Sequence, residues 1–238
     1  MSIVEEFDLP LKRLVNVSTD GCRSMTGVHN GFTALLKEKV PHILLNHCLI
    51  HVQALVGKNI DLDLTMQQVV QVLSRILSSK LDHRKFQSLC QELDANYSDL
   101  LYFTSVRWLS KGACLVRFIE LIEEIRAYLV KVDFKKEFEY VFEEHWLCRV
   151  KFLADICAVF NQCNVAMQKK DNGVCDLVHA INSFRTKIGL RAEKFAKRDF
   201  KNFKYLSTCH LSDIISNEKS FTECFTSLEA ALNDRLCY

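Results

Sequence analysis

The chain has 238 residues, of which 49% are apolar and 25% charged, a composition typical of globular proteins with one large core or two smaller ones. Its 31 basic and 29 acidic side chains give a net charge of +2, so overall charge indicates no particular partner, and a nucleic-acid surface would require local clustering. No apolar run approaches the ~20 residues of a membrane span, and the first residues lack the pattern of a signal peptide. We therefore expect no membrane partner.

The cysteines are numerous but irregularly spaced. The chain has 11 of them, and none forms a Cys-x-x-Cys motif. We expect a reduced intracellular protein in which most of the cysteines pack as small core residues.

The first part of the chain reads as alternating strands and helices. "LKRLVNVS" alternates apolar and polar residues and predicts a strand. The segment from Asn30 to Val40 predicts a helix ended by Pro41. "ILLNHCLIH" follows as an apolar run that could be a buried strand, and "VQALVGK" turns helical up to Gly57. This order predicts a small α/β segment over residues 1–60.

Residues 61–238 show helical periodicity throughout. In "TMQQVVQVLSRILSS" the apolar residues repeat at helical spacing, and Thr65 with Gln68 suggests a capping box at the helix start. "GACLVRFIELIEEIRAYLVK" places Leu115, Phe118 and Ile122 on one face, and further helical patterns continue to the end of the chain. The predicted fold class is therefore mostly α, with an α/β segment followed by a large helical domain.

An acid follows the first predicted strand. Asp20 stands where "LVNVST" gives way to "DGCRSMTG". Functional groups gather at the carboxyl ends of strands in open α/β sheets, and a carboxylate there suits Mg²⁺. Asp-Gly is also an ordinary turn, and Asp before a helix is an ordinary N-cap.

Several consecutive blocks resemble one transposase family. They are "STDGCRSMTG", "HCLIHVQAL", "LDHRKFQSLCQELDANYSDLLYFTSVRWLSKG", "WLCRVKFLADICAVFNQCNVAMQKK" and "INSFRTKIGL". In order and spacing they resemble the hAT (hobo/Ac/Tam3) transposases, in particular the domesticated versions in zinc-finger BED-type and general transcription factor II-I repeat-domain-containing proteins. The resemblance extends from about residue 12 to about residue 206.

The resemblance implies an RNase H-like α/β core interrupted by a large helical insertion. It makes residues 1–60 a partial RNase H-like segment and residues 61–238 an insertion-type domain that is incomplete at its C-terminus. In the family an Asp, Asp, Glu triad holds two metal ions, and Asp20 matches the second acid. The first Asp and the final Glu find no match in this chain. Two-metal phosphoryl transfer needs several carboxylates around ions ~4 Å apart. We therefore expect a truncated, catalytically inactive relative without cofactor, metal or small-molecule substrate, Mg²⁺ being needed only by an intact triad.

Two further motifs each allow a structural and a functional interpretation. Cys48 and His51 in "HCLIH" match the family's Cys-x-x-His motif, and they could serve packing, zinc binding or a function near DNA. Arg107 and Trp108 match the family's Arg-Trp block, in which the tryptophan stacks on a flipped base. Trp108 could equally start a helix and pack in the core, with Arg107 in an ion pair.

The segment "FRTKIGLRAEKFAKRDFKNFKY" is the clearest cluster of charge. It contains Lys194, Lys197, Arg198 and Lys201, interleaved with phenylalanines. A basic helix face with aromatics could follow a phosphate backbone in a salt-sensitive, non-specific way. The alternative is that the aromatics are core and the lysines form a solvated face.

Our leading hypothesis is a non-enzymatic nucleic-acid-binding or protein-interaction module. The alternative is a fragment of a larger hAT-type protein that acts in DNA binding or transcription regulation. A metal-dependent strand-transfer enzyme is the third hypothesis. The protein is expected in the nucleus or the cytoplasm, the nucleus being implied by the resemblance alone.

Overall fold

The computed structural model describes residues 10–59, 63–103 and 108–235. Within these residues the chain forms two strands and eleven α-helices, which confirms the mostly α prediction. None of the helices in the described ranges is long and apolar enough to cross a membrane. The chain divides into two compact units, residues 1–55 and 56–238.

The first unit contains the only two strands of the described residues. Its elements in chain order are β1 (Asn16–Thr19), α1 (Arg23–Thr26), α2 (Phe32–Lys39), β2 (Leu44–His47) and α3 (Leu49–Val56). The strands are parallel, in a register that pairs Asn16 with Leu44 and Thr19 with His47. Because parallel strands need a crossover, α1 and α2 carry the chain from one strand to the next.

The core of the first unit is small. Leu36, Val40 and Ile43 are buried, and partly buried Leu14 and Val17 pack against them. The sequence suggested a buried second strand, and this was wrong. All four residues of β2 are exposed, Leu44 to 59%. The strand forms because its backbone pairs with β1, while its side chains lie outside the core.

The second unit is a helical assembly around one long helix. Its helices are α4 (Asp63–Leu77), α5 (Lys80–Glu92), α6 (Trp108–Glu120), α7 (Ile122–Lys131), α8 (Glu144–Met167), α9 (Val174–Ala196), α10 (Leu211–Ser216) and α11 (Glu218–Arg235). Helix α8 contacts α4, α6, α9 and α10. It is buried on most of its circumference, as expected of a helix with apolar residues all round.

An aromatic cluster joins α8, α9 and α11. The Phe152 ring stacks on Phe221 with centroids 4.1 Å apart and meets Phe225 edge-on at 5.4 Å. Phe195 at the end of α9 and Phe203 in the following loop complete the cluster. Offset and edge-on rings add to the stabilisation from buried area.

The predicted capping box at Thr65 and Gln68 was wrong. Helix α4 begins at Asp63, so neither residue has a capping position. The Gln68 side chain instead accepts a 2.7 Å hydrogen bond from the indole N–H of Trp146 on α8. A buried tryptophan N–H needs such a partner, and this tertiary requirement determines the position of the glutamine.

Candidate functional site

The carboxyl ends of the two strands bring the "TDG" and "HCLIH" motifs together. Asp20 follows β1 directly, and His47 is the last residue of β2. The backbone N–H of Gly21 donates to His47 Nε2 at 3.1 Å, and that of Cys48 donates to the Thr19 carbonyl at 2.8 Å. The parallel register thus brings the turn at Asp20 and Gly21 next to His47, which lies 26 positions after Gly21.

Asp20 has a polar, solvent-exposed environment. Its carboxylate oxygen accepts the backbone N–H of Cys22 at 3.4 Å. Hydrogen bonding with the Cys22 side chain and backbone holds the pKa of Asp20 below its ordinary value, and the nearby His51 and His47 lower it further by a smaller amount. The carboxylate is therefore ionised at neutral pH and free to face water.

The surroundings of Asp20, as far as the structure describes them, do not fit a pair of magnesium ions. Its neighbours are the imidazoles of His47 and His51 and the thiol of Cys22, whereas Mg²⁺ prefers oxygen ligands. No group of three or more His, Cys, Asp or Glu in the described residues could hold a metal ion. Among the described side chains, the carboxyl ends of β1 and β2 offer one carboxylate and two imidazoles. This set cannot bind two metal ions side by side.

Cys48 lies directly before α3, and His51 lies in the first turn of that helix. Cys48 is half-buried, and its carbonyl accepts the backbone N–H of Val52 at 2.9 Å in the first turn of α3. The ring of His51 faces that of His47 with centroids 5.3 Å apart. These contacts do not distinguish the interpretations of the motif, and its role stays a prediction.

The Arg-Trp motif falls largely outside the described part of the chain. Arg107 lies outside the described residues. Trp108 is the first residue of α6, the position that the non-functional interpretation gave it. Its side chain also lies outside the described part, so stacking on a base stays a prediction.

The basic segment is largely balanced by carboxylates. Lys197 pairs with Glu193 at 2.6 Å and Arg198 with Glu218 at 3.5 Å. Lys194 lies 3.7 Å from Asp199. Lys201 is exposed. A partner with phosphate groups would therefore compete with existing ion pairs at three of these four cations.

Arg198 also has a backbone function at the end of α9. Its φ of 56° is left-handed, and its N–H donates to the Phe195 carbonyl at 2.9 Å. The next N–H, that of Asp199, donates to the Lys194 carbonyl at 2.9 Å. This geometry closes the helix with a left-handed residue, so Arg198 contributes to structure independently of its charge.

Two phenylalanines of this segment, Phe195 and Phe203, belong to the core, whereas Phe200 is half-buried. Phe195 and Phe203 are 3% and 0% exposed, and both lie in the aromatic cluster. The two buried rings, those of Phe195 and Phe203, are therefore unavailable to stack on bases. These two residues fit the alternative of core aromatics, and nucleic-acid binding by the cations of the segment stays a prediction.

Sequence reasoning missed Asp155, the most buried acid among the residues of the second unit that the structure describes. It is 3% exposed on α8 and accepts backbone N–H groups of the turn at Leu206–Thr208 and the residue before it. One signal was present. An aspartate stands alone inside the apolar run "FLADICAVF", and a buried acid needs partners.

The chain is similar to one known protein family and to a known protein. The FAM200/GTF2IRD2 helical domain family matches residues 47–197. A general transcription factor II-I repeat domain-containing protein 2 from Bos taurus is 28% identical over 243 residues, covering 99% of this chain and 25% of the relative. The chain thus spans about a quarter of the length of this relative. No solved structure matches the chain. Because the family match covers well over half of its residues, the chain belongs to the FAM200/GTF2IRD2-like family.

Proposed function

We propose that this chain is a non-catalytic binding module of a transposase-derived regulatory protein. The hAT-like sequence blocks, the FAM200/GTF2IRD2 family membership and the similarity to a transcription-factor-named relative support this origin. The parallel pair β1 and β2 is proposed as a remnant of an RNase H-like sheet, and residues 61–238 as the insertion-type helical domain. A nuclear location follows from the same relationship.

The observation that carries the non-catalytic part is the environment of Asp20. Its described neighbours are His47, His51 and Cys22, and none of them is a second carboxylate. A single exposed carboxylate cannot bridge two cations, because each ion needs several oxygen ligands. This arrangement supports a vestigial role for the acid.

Metal binding tests the inactivity directly. We expect any effect of Mg²⁺ or Mn²⁺ on the melting temperature to be the same for the full wild-type chain and for Asp20→Ala. We also expect no metal-dependent cleavage of DNA. Asp171→Ala is the matched control, because Asp171 is exposed and distant in sequence from the strands. Stabilisation lost in the Asp20 variant and kept in the control would overturn the proposal.

DNA is the first proposed partner of the module. Exposed ion pairs such as Lys197–Glu193 contribute little to stability, so their cations can exchange a carboxylate for a phosphate at small cost. Lys201 is exposed on the same segment. Binding through these groups would be independent of sequence and would weaken steeply with salt.

A salt series on a random-sequence duplex tests that partner. Changing Lys194, Lys197 and Lys201 to Glu should weaken binding and reduce the salt slope by roughly one unit for each lost phosphate contact. The same change at exposed Lys131, Lys135 and Lys136 alters net charge equally and serves as the control. Equal losses in both triple variants would refute the basic segment as the binding face.

Protein interaction is the second proposed function. It is favoured by the carboxylates that already neutralise Lys194, Lys197 and Arg198. Apolar side chains on the second unit are also exposed, Val174 to 62% and Leu81 to 62%. DNA affinity that is unaffected by either triple variant would favour this function over the first.

A further inference from the structure

A surface groove of about 440 Å³ lies between α5 and the end of α7. Helix α5 lines one wall of it with Leu81, Arg84, Lys85 and Ser88. Because residues three and four positions apart are neighbours on a helix surface, these side chains share one face of α5. The volume of the groove is within the range of pockets that bind ligands.

The end of α7 and the residue after it form the opposite wall, with Tyr128, Lys131 and Val132. Tyr128 is 1% exposed, and its ring meets the buried ring of Phe86 on α5 edge-on at 5.6 Å. Its hydroxyl donates to the Asp82 carbonyl at 3.3 Å. Burial raises the pKa of Tyr128 to about 12, so the phenol adds no negative charge to the groove at neutral pH.

The charge of the groove is mostly positive. Lys131 lies 3.5 Å from Glu92, the one carboxylate among the lining residues that the structure describes. Arg84 and Lys85 are exposed and form no ion pair within residues 10–59, 63–103 and 108–235. Three cations face one carboxylate, so Arg84 and Lys85 are available to a negatively charged partner.

Apolar surface lies beside these cations. Leu81 is 62% exposed and Val132 is half-buried, and both line the groove. The phosphates of a nucleic-acid backbone could pair with the cations but would offer nothing apolar to these two side chains. A peptide can place carboxylates and an aliphatic side chain next to each other, so it matches both the charge and the apolar surface of the groove.

We propose that the groove between α5 and α7 binds an acidic peptide segment of a partner protein that carries an aliphatic side chain among its carboxylates. The carboxylates pair with Arg84 and Lys85, and the aliphatic side chain lies against Leu81 and Val132. The hydroxyl of Ser88 is a further donor for a carboxylate or a peptide carbonyl. This inference rests on protein interaction as the proposed function, and it gives the chemistry of the partner.

An NMR titration of the isotope-labelled full chain tests the groove. The probe is an acetylated and amidated peptide of sequence Glu-Glu-Leu-Glu-Glu. We expect amide shifts concentrated in Leu81–Glu92 and Tyr128–Val132, and an affinity that falls several-fold between ~0.05 and ~0.5 M sodium chloride because salt screens the pairs. The same peptide with lysine in place of every glutamate should cause no such shifts. Absence of shifts in these two segments, or equal shifts with both peptides, would overturn the proposal without any variant.

Charge reversal separates a defined site from general attraction. The double variant Arg84→Glu, Lys85→Glu should bind the acidic peptide roughly ten-fold more weakly than wild type, because two attractive pairs become repulsive. The double variant Lys169→Glu, Lys170→Glu is the matched control, since these adjacent lysines are exposed, do not line the groove and change net charge equally. Equal losses of affinity in the two variants would refute the groove as the binding site.

The apolar contact is tested by Leu81→Ser, at an exposed position where the fold does not depend on the side chain. This change should weaken binding of the leucine peptide several-fold and leave binding of the same peptide with a central glycine unchanged. Equal effects on both peptides would contradict the contact between the aliphatic side chain and Leu81.

A random-sequence DNA duplex distinguishes the other class of partner. We expect the Arg84→Glu, Lys85→Glu variant to bind this duplex as wild type does. A loss of DNA affinity without a loss of peptide affinity would assign the groove to nucleic acid and overturn the proposal. The salt series on Lys194, Lys197 and Lys201 tests the proposed function separately, so a failed peptide titration refutes the groove and leaves the binding module standing.

Discussion

Asp155 on helix α8 accepts the backbone N–H of Leu206 at 2.8 Å, across 51 positions of sequence. The same carboxylate accepts the N–H of Tyr205 at 3.1 Å. Arg191 on α9 adds a favourable positive charge. A single buried acid thus fixes the turn at Leu206–Thr208 against the central helix.

The first prediction concerns the loss of this carboxylate. Asp155→Ala should lower the free energy of unfolding by about 2–4 kcal/mol, because backbone N–H groups lose their acceptor and the half-buried Arg191 loses a counter-charge. Urea unfolding measures the change. Asp171→Ala, at an exposed site, should change stability by less than about 0.5 kcal/mol. Equal effects of the two substitutions would show that the turn does not depend on Asp155.

The second prediction concerns pH. Burial raises the pKa of Asp155 above its ordinary value of 3.8, against the effect of its hydrogen bonds and Arg191. Between the ordinary and the raised pKa, the folded protein binds more protons at this site than the unfolded protein does. Stability from this group is therefore largest below about 3.8 and is lost as pH rises through the raised pKa.

Asp155→Asn makes that dependence measurable, because asparagine does not titrate. The stability of wild type relative to this variant should fall as pH rises through the window, in urea titrations at matched pH values. A relative stability that increases with pH would mean that the hydrogen bonds outweigh burial and that the folded carboxyl has a lowered pKa.

The spacing of apolar residues correctly predicted which helix faces are buried. It did not predict contacts between residues that are far apart in the sequence. Leu115 and Phe118 were expected on one face, and both are buried. The same pattern continues through Leu121, where one helix ends and the next begins, because side-chain periodicity does not record a short interruption of the backbone. The partners of Asp155 come from far along the chain, and no local pattern identifies them.

The candidate site was likewise predicted only in its local features. The sequence placed Asp20 at the end of a strand, and the structure places it there. Its contact with His47 depends on the register of a parallel pair, which periodicity does not determine. The basic segment was recognised from composition, but its balance by Glu218 required knowing that α11 lies beside the end of α9.

The third prediction concerns the buried indole of Trp146. Gln68→Leu removes the acceptor of its N–H while keeping the side chain similar in size, so unfolding free energy should fall by about 1–3 kcal/mol. Gln71→Leu on the same helix is the control, because Gln71 is exposed. Thermal or urea unfolding measures both. A Gln68→Leu protein as stable as the control would indicate that water replaces the lost acceptor.

The fourth prediction compares two helical glycines. Alanine favours a helix interior by about 1 kcal/mol over glycine, and Gly189→Ala on α9 should show about that gain, since the nearest atom to its new Cβ is Glu229 Oε1 at 3.8 Å. At Gly112 on α6, the Cβ would collide with the Asn161 side chain on α8, with Cys157 Cβ at 3.5 Å. We expect Gly112→Ala to cost about 1–2 kcal/mol despite its helix propensity. Urea unfolding of both variants measures the difference in sign, and stabilisation by both would mean that α6 and α8 separate easily at this contact.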